Sequence, residues 1–238
     1  MPLPTISTPT YELELPSTGE SLEYRPFLVR EEKLLVLALE SEDPKQITSA
    51  IKTVIKNCIK SKSIKVETLP TFDIEFLFLN IRGKSVGEDL EVSILCPDDE
   101  ETYVPTKIFI DDIQVVKSKG HSDTIDLENG YFIKMKYPTM KYIMDKKPDD
   151  QKSLIDSTFE YAVECIDTIY NDEETWEAAD STKKELEEFV EQMNSKQYQK
   201  LQSFFATMPK LSHTVEVTNP KTGVKSDVTI EGLANFFA

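Results

Sequence analysis

A chain of 238 residues is long enough to bury a sizeable core, as one large domain or two small ones. Its 43 acidic and 27 basic side chains give a formal charge of -16, which excludes a broad attractive field toward nucleic-acid phosphate or anionic lipid. Hydrophobic content of 39% with 9% aromatics is too high for a disordered chain and predicts a folded, surface-rich protein.

The first element is a hairpin. Tyr11, Leu13 and Leu15 alternate with Glu12 and Glu14, then Pro16, Ser17, Thr18 and Gly19 supply turn chemistry before Leu22, Tyr24 and Phe27 resume. After Val29 the period changes to a helical one through Leu34, Leu35, Ala38 and Leu39, with Glu31 and Glu32 placed where a first turn favours negative charge. A second helix starts at Asp43 as N-cap, with Pro44 in its first position and Gln46 able to reach back. Its apolar stripe is Ile47, Ile51, Val54, Ile55, Cys58 and Ile59.

The run "TFDIEFLFLNI" (71–81) is dense enough for a buried helix or a strand; the spacing of Phe72, Glu75, Phe76 and Leu79 favours helix, with Gly83 as its stop. From Asp89 the pattern becomes strand-like, through Leu90, Val92 and Ile94, then Lys107 to Val116, then Tyr131, Ile133, Met135 and Tyr137. After Pro138 the chain turns helical, briefly through "TMKYIM" and, past the linker "DKKPDD", in a long helix striped by Ile155, Phe159, Ala162, Val163, Ile166 and Ile169. "NDEETWEAAD" reads as an acidic connector; Thr182 with Glu185 makes a capping box, and a last helix carries Tyr198, Leu201, Phe204, Phe205 and Met208 up to Pro209. A hairpin with Asn219, Pro220 and Gly223 in its turn follows, and "GLANFFA" ends the chain.

These elements predict an α+β fold: an N-terminal hairpin and helices (1–85) packed with C-terminal helices and a terminal hairpin (138–238), and a small antiparallel sheet region (86–137) inserted between them. Residues 1–85 and 138–238 are able to form one domain.

Sites of chemistry are scarce. Only His121 and His213 are available as bases for Cys58, Cys96 or Cys165, and those thiols read as small core hydrophobes of a reducing compartment. No metal-ligand spacing occurs; "CPDDEE" (96–101) gathers carboxylates but reads as a solvated loop, and no glycine-rich cradle serves a nucleotide. The expectation is therefore no catalytic, cofactor or metal site. There is no secretory signal and no run of the roughly 20 apolar residues a membrane span needs, so folding in cytoplasm is expected. The stronger signal is aromatic: Phe204, Phe205, Met208, Leu211, Phe236 and Phe237 lie at chain and element ends, where partner interfaces recruit apolar anchors. They are the candidate partner-binding residues, against the alternative that they pack the last helix on its own hairpin.

The runs "TPTYELELPSTGESLEYRPFLVREEKLLVLALESED" and "MPKLSHTVEVTNPKTGVKSDVTIEGLANFF" resemble the baseplate hub subunit and hub-assembly family of T-even-like contractile-tailed bacteriophages, the myoviruses. The resemblance extends over the chain, weakest in the middle sheet. It implies a non-enzymatic component or assembly factor of the tail baseplate hub, made in the host cytoplasm, with phage hub and tail proteins as partners. Two other classes compete: an acidic inhibitor that mimics nucleic acid on a host protein, resting on the charge alone, and a tail-associated carboxylate hydrolase.

Overall fold

A computed structural model describes residues 6–61, 64–141 and 154–233. The "TMKYIM" turn and "DKKPDD" linker fall largely, and Phe236 and Phe237 wholly, outside the described residues. Helices and small antiparallel sheets make the α+β fold the sequence predicts. The chain divides into two compact units, Met1–Val116 with Lys210–Ala238, and Lys117–Pro209.

In the first unit, β1 (Tyr11–Glu14) and β2 (Ser21–Tyr24) form the expected hairpin, with Tyr11 opposite Tyr24 and Leu13 opposite Leu22. Its turn closes through the Gly19 amide on the Leu15 carbonyl at 2.8 Å, with Gly19 at φ +71° where a side chain would be strained. Helices α1 (Val29–Glu40) and α2 (Pro44–Cys58) follow. Asp43 caps α2 by accepting from the Lys45 amide at 2.9 Å, and Gln46 donates to the same carboxylate at 3.1 Å.

Helix α3 (Thr71–Val86) settles the ambiguous run as helix. Phe72, Asp73, Ile74, Leu77, Phe78, Leu79 and Ile81 are all buried on it, so the helix is covered around its circumference and no amphipathic period survives. Gly83 does not stop it. A Cβ there would sit 3.0 Å from Ile110 Cδ1, so the glycine admits a neighbouring side chain, and the helix ends instead before Gly87 at φ +140°. Asp73, fully buried, accepts from the Ser17 amide at 3.1 Å and from its hydroxyl, tying the hairpin turn to this helix.

Strands β3 (Asp89–Leu95) and β4 (Tyr103–Phe109) pair in register from Asp89–Phe109 to Leu95–Tyr103. The stretch expected to run extended to Val116 is broken by a 3-10 turn at Ile110–Asp112, after which β5 (Gln114–Val116) joins β10 (Lys210–Thr218) and β11 (Lys225–Glu231) in the order β11-β10-β5. Leu79, Leu90, Ile94, Ile108, Ile113 and Leu211 pack together in this unit's core.

In the second unit, β6 (Thr124–Asp126), β7 (Phe132–Met135), β8 (Ile166–Tyr170) and β9 (Thr175–Glu177) make one antiparallel sheet in sequence order. The strands of 86–137 are thus shared among three sheets. The helix predicted through Ile169 ends early: α4 is Leu154–Glu164, and Ile166 and Ile169 lie on β8. Paired with β7 on one side and β9 on the other, "IDTIY" satisfies its backbone on both edges and buries Ile166, Thr168 and Ile169, a gain that one more helical turn would not bring. The acidic connector supplies β9 and a 3-10 turn at Ala178–Asp180.

Helix α5 (Lys183–Glu191) has the predicted capping box, the Glu185 amide donating to Thr182 Oγ1 at 3.3 Å and the Thr182 amide to Glu185 Oε2 at 2.7 Å. Helix α6 (Ser195–Thr207) has one the sequence reading missed, built by Asn194 and Gln197. Gln197 also donates Nε2 to the Leu127 carbonyl at 2.8 Å, locking α6 to the end of β6.

Candidate functional site

The groups that carry chemistry are committed to structure. Cys58, Cys96 and Cys165 are free and buried. Burial pushes the thiols of Cys58 and Cys165 up to about 11 and about 12, far from the thiolate a nucleophile needs. His213 donates Nδ1–H to the Asp112 carbonyl at 3.1 Å. His121 is wedged between Thr207 Oγ1 (2.9 Å from Nδ1) and Tyr137 Oη (3.0 Å from Nε2). Thr207 donates its hydroxyl to the Ser203 carbonyl at 2.7 Å, so it accepts from Nδ1–H, and Nε2 is left to accept from the tyrosine. Burial, with Lys117 nearby, lowers the His121 pKa and keeps this tautomer neutral. Among the described residues no group of His, Cys, Asp and Glu is arranged to hold a metal, and no helix is long and apolar enough to cross a membrane.

The acidic run at 96–101 is a receptor for the terminal hairpin. Asp98 accepts from Asn219 Nδ2 at 3.0 and 3.1 Å and from Thr222 Oγ1 at 2.6 Å, while Asp99 accepts from the Thr102 amide at 3.0 Å and its hydroxyl at 2.6 Å. The hydroxyl of Thr222, then Asn219, lowers the Asp98 pKa. Asn219 is fully buried and also accepts from the Lys221 amide at 2.8 Å, so one side chain both shapes the turn and fastens it. Asn219→Ala is expected to cost about 1–3 kcal/mol in chemical denaturation, because both bonds go and nothing replaces them.

The aromatic candidates separate. Phe204 is 2% exposed in the core of the second unit, and Leu211 is fully buried in the core of the first. Their burial makes them core residues, unavailable as surface anchors. Phe205 and Met208 are half-buried, and the Phe205 ring lies 5.1 Å from that of Tyr161. The helix end is filled by its own unit: Phe204 stacks on Tyr137 at 5.5 Å and meets His121 at 5.2 Å.

Exposed apolar side chains lie on several other elements, Tyr103 and Phe109 of β4 among them, and in two places they border a cleft or a groove. In the second unit a cleft of about 550 Å³ is lined by Leu127, Tyr131, Trp176, Leu186, Phe189 and Met193 among others. Trp176 and Tyr131 stand at 39% and 40% exposure with ring centroids 6.2 Å apart. Glu185 is the one carboxylate among the lining residues, and it is held by the Thr182 cap, whose amide lowers its pKa. A hydrolase working with two carboxylates would need a second one in this cleft.

In the first unit the surface is α1 itself. Its sequence "VREEKLLVLALE" puts six apolar residues in a row, yet only Glu31 and Ala38 are buried. Val29, Val36, Leu37 and Leu39 are exposed, at 48% or more, and Leu34 and Leu35 are half-buried. Apolar residues on every side of a helix are the mark of one covered on every side. What fixes the helix is polar: Glu31 accepts from Arg25 at 3.0 Å, Arg30 at 2.7 Å and the Leu28 amide at 2.8 Å. Leu28 has no side-chain acceptor, so only the reach-back half of a capping box exists there. Beside α1, a groove of about 270 Å³ runs against α2, with Leu34, Leu37 and Ala38 on one wall and Ser49, Ala50 and Thr53 on the other. The sequence signal for this surface was the unbroken apolar run, which a helix buried on one face does not need.

The family model described as T4 bacteriophage base plate protein matches residues 8–238. Neither the curated proteins nor the solved structures give a match.

Proposed function

This chain belongs to the T4 bacteriophage base plate protein family, and from that premise we propose that it is a non-enzymatic component or assembly factor of the tail baseplate hub. It works through protein contacts, made in the host cytoplasm while the tail is built, with other baseplate proteins as partners. The observation that carries the reading is the family match across residues 8–238. Its residues support it: thiols and histidines are used for packing, while large apolar side chains stand exposed on α1 and around Trp176. The acidic surface keeps such a protein soluble until a partner covers those patches.

Quantitative mass spectrometry of purified virions against infected-cell lysate tests it. A fixed ratio to hub proteins is expected for a component, and for an assembly factor abundance in lysate with hub intermediates but not in virions. Association with a host nucleic-acid-binding protein alone would overturn the proposal in favour of the acidic mimic.

A further inference from the structure

We infer that the cleft lined by Trp176 and Tyr131 in the second unit is a seat for an arginine side chain presented by a partner protein. The inference adds to the baseplate reading the group that a partner brings, and its test in purified protein does not depend on that reading. Trp176 lies directly opposite Ile169 in the β8–β9 pair, and both line the cleft, while Tyr131 brings its ring centroid to 6.2 Å from that of the indole. Both rings stay exposed, beside the apolar side chains of Leu127, Leu186 and Met193. The Gln197 bond to the Leu127 carbonyl and the Thr182–Glu185 capping box fix the walls before any ligand arrives. An exposed indole or phenol face attracts a cation, and apolar neighbours suit the methylene stem that carries it.

Charge points the same way. Among the described residues Glu185 is the one charged side chain that lines the cleft, and no lysine or arginine does. Its Oε2 accepts from the Thr182 amide and hydroxyl, both at 2.7 Å, which leaves Oε1 without a donor among the described residues. Gln192 donates Nε2 to the Glu188 carbonyl at 3.0 Å and leaves its Oε1 in the same position. The segment that carries Trp176, residues 166–182, holds six carboxylates and no lysine or arginine. The lysines of the neighbouring helices are already matched, Lys183 to Glu160 and Glu187, Lys184 to Glu188, and Lys196 and Lys200 to Glu128. Such a site repels phosphate and carboxylate ligands and draws a cation that carries several donors.

Arginine meets these terms better than lysine. Its planar guanidinium stacks on an aromatic face, forks its N–H groups between two acceptors, and is more weakly hydrated than an ammonium. A second copy of the chain is a poor source of one. Of its three arginines, Arg25 is buried on Glu31, and Arg82 is half-buried and engaged within the chain. Arg30 is exposed, but its Nε is already held 2.7 Å from Glu31. A neutral ligand stacked on Trp176 would gain nothing from the surrounding negative field.

Trp176 is the only tryptophan of the chain, so its fluorescence reports this cleft alone. The probes are N-acetyl-arginine amide, its neutral counterpart N-acetyl-citrulline amide, and N-acetyl-lysine amide, titrated into the full chain at fixed ionic strength. A saturable change in emission in the millimolar range is expected with the arginine probe, about tenfold tighter than with citrulline and about threefold tighter than with lysine. Tyr131→Leu and Glu185→Gln should each weaken the arginine probe about fivefold. Glutamine keeps the reach-back to the Thr182 amide, so α5 stays capped and the circular dichroism spectrum unchanged. No saturable change with arginine, or an equal response to citrulline or to lysine, would overturn the inference. So would tighter binding of choline or of a neutral disaccharide than of the arginine probe. An emission shift that follows protein concentration with no probe added would place a second copy in the cleft and overturn it too. All of these outcomes leave the virion measurement untouched, so the baseplate reading stands or fails separately.

Discussion

Phe204→Ala is expected to destabilise the second unit by about 3–5 kcal/mol and to lower its melting temperature by well over 10 °C. The ring is 2% exposed and is held on three sides, stacked on Tyr137, tilted against His121 and edge-on to Phe205 at 5.1 Å. Alanine would leave a cavity lined by an imidazole and a phenol that exist to pack against it. Water entering there would also relieve the burial that keeps His121 neutral. The sign of that linkage is fixed: a histidine whose folded pKa lies below its unfolded value weakens the fold as pH drops below about 6.5, since the unfolded chain then binds the proton more readily. The wild-type unit should therefore lose stability in mild acid, and the Phe204→Ala variant should lose less. Phe205→Ser, at a half-buried position, should melt within a few degrees of the wild type. Equal behaviour of the two variants in thermal denaturation followed by near-ultraviolet circular dichroism would show that Phe204 is no more a core residue than Phe205.

Arg25→Met is expected to have a comparable effect on the first unit, about 3–5 kcal/mol, because it leaves a carboxylate buried with part of its compensation gone. Arg25 is 9% and Glu31 is 1% exposed. Burial alone would push the Glu31 carboxyl up. Hydrogen bonds from Arg25, Arg30 and the Leu28 amide outweigh it and hold the pKa at about 2, against an ordinary 4.5. A depressed carboxylate pKa contributes stability that is present above the unfolded value and lost as pH falls through the folded one. That contribution, roughly 3 kcal/mol for such a shift, should disappear between about pH 5 and pH 2 in the wild type and be much smaller in Arg25→Met. Arg25→Met with Glu31→Leu should recover most of the loss at neutral pH, since no charge is then stranded. A double variant as unstable as the single one would mean that the pair acts by shape, through the Arg25 donation to the Pro26 carbonyl at 2.8 Å.

The parts of this protein that the sequence determined are the ones decided within a few residues. Asp43 and Thr182 announce their helices because a cap and its amides lie within one turn of each other, and the Tyr11, Leu13, Leu15 alternation carries its own period. The acidic balance, the scarcity of chemical motifs and the terminal runs that carry the family resemblance were likewise visible without coordinates. Asn194 and Gln197 obey the same local rule, and their capping box was legible but overlooked.

Tertiary structure alone decided the rest, for one physical reason: apolar spacing says that a face needs cover, not what covers it. Ile166 and Ile169 fit a helical stripe and a buried strand equally, and pairing with β7 and β9 chose the strand. Gly83 was a stop by composition and a gap for Ile110 by packing. Phe204 and Leu211 lie as close to element ends as any anchor, yet their neighbours close over them. Leu37 and Leu39 of α1, in a run that reads as ordinary core, are left exposed because among the described residues no other segment of their unit encloses that helix.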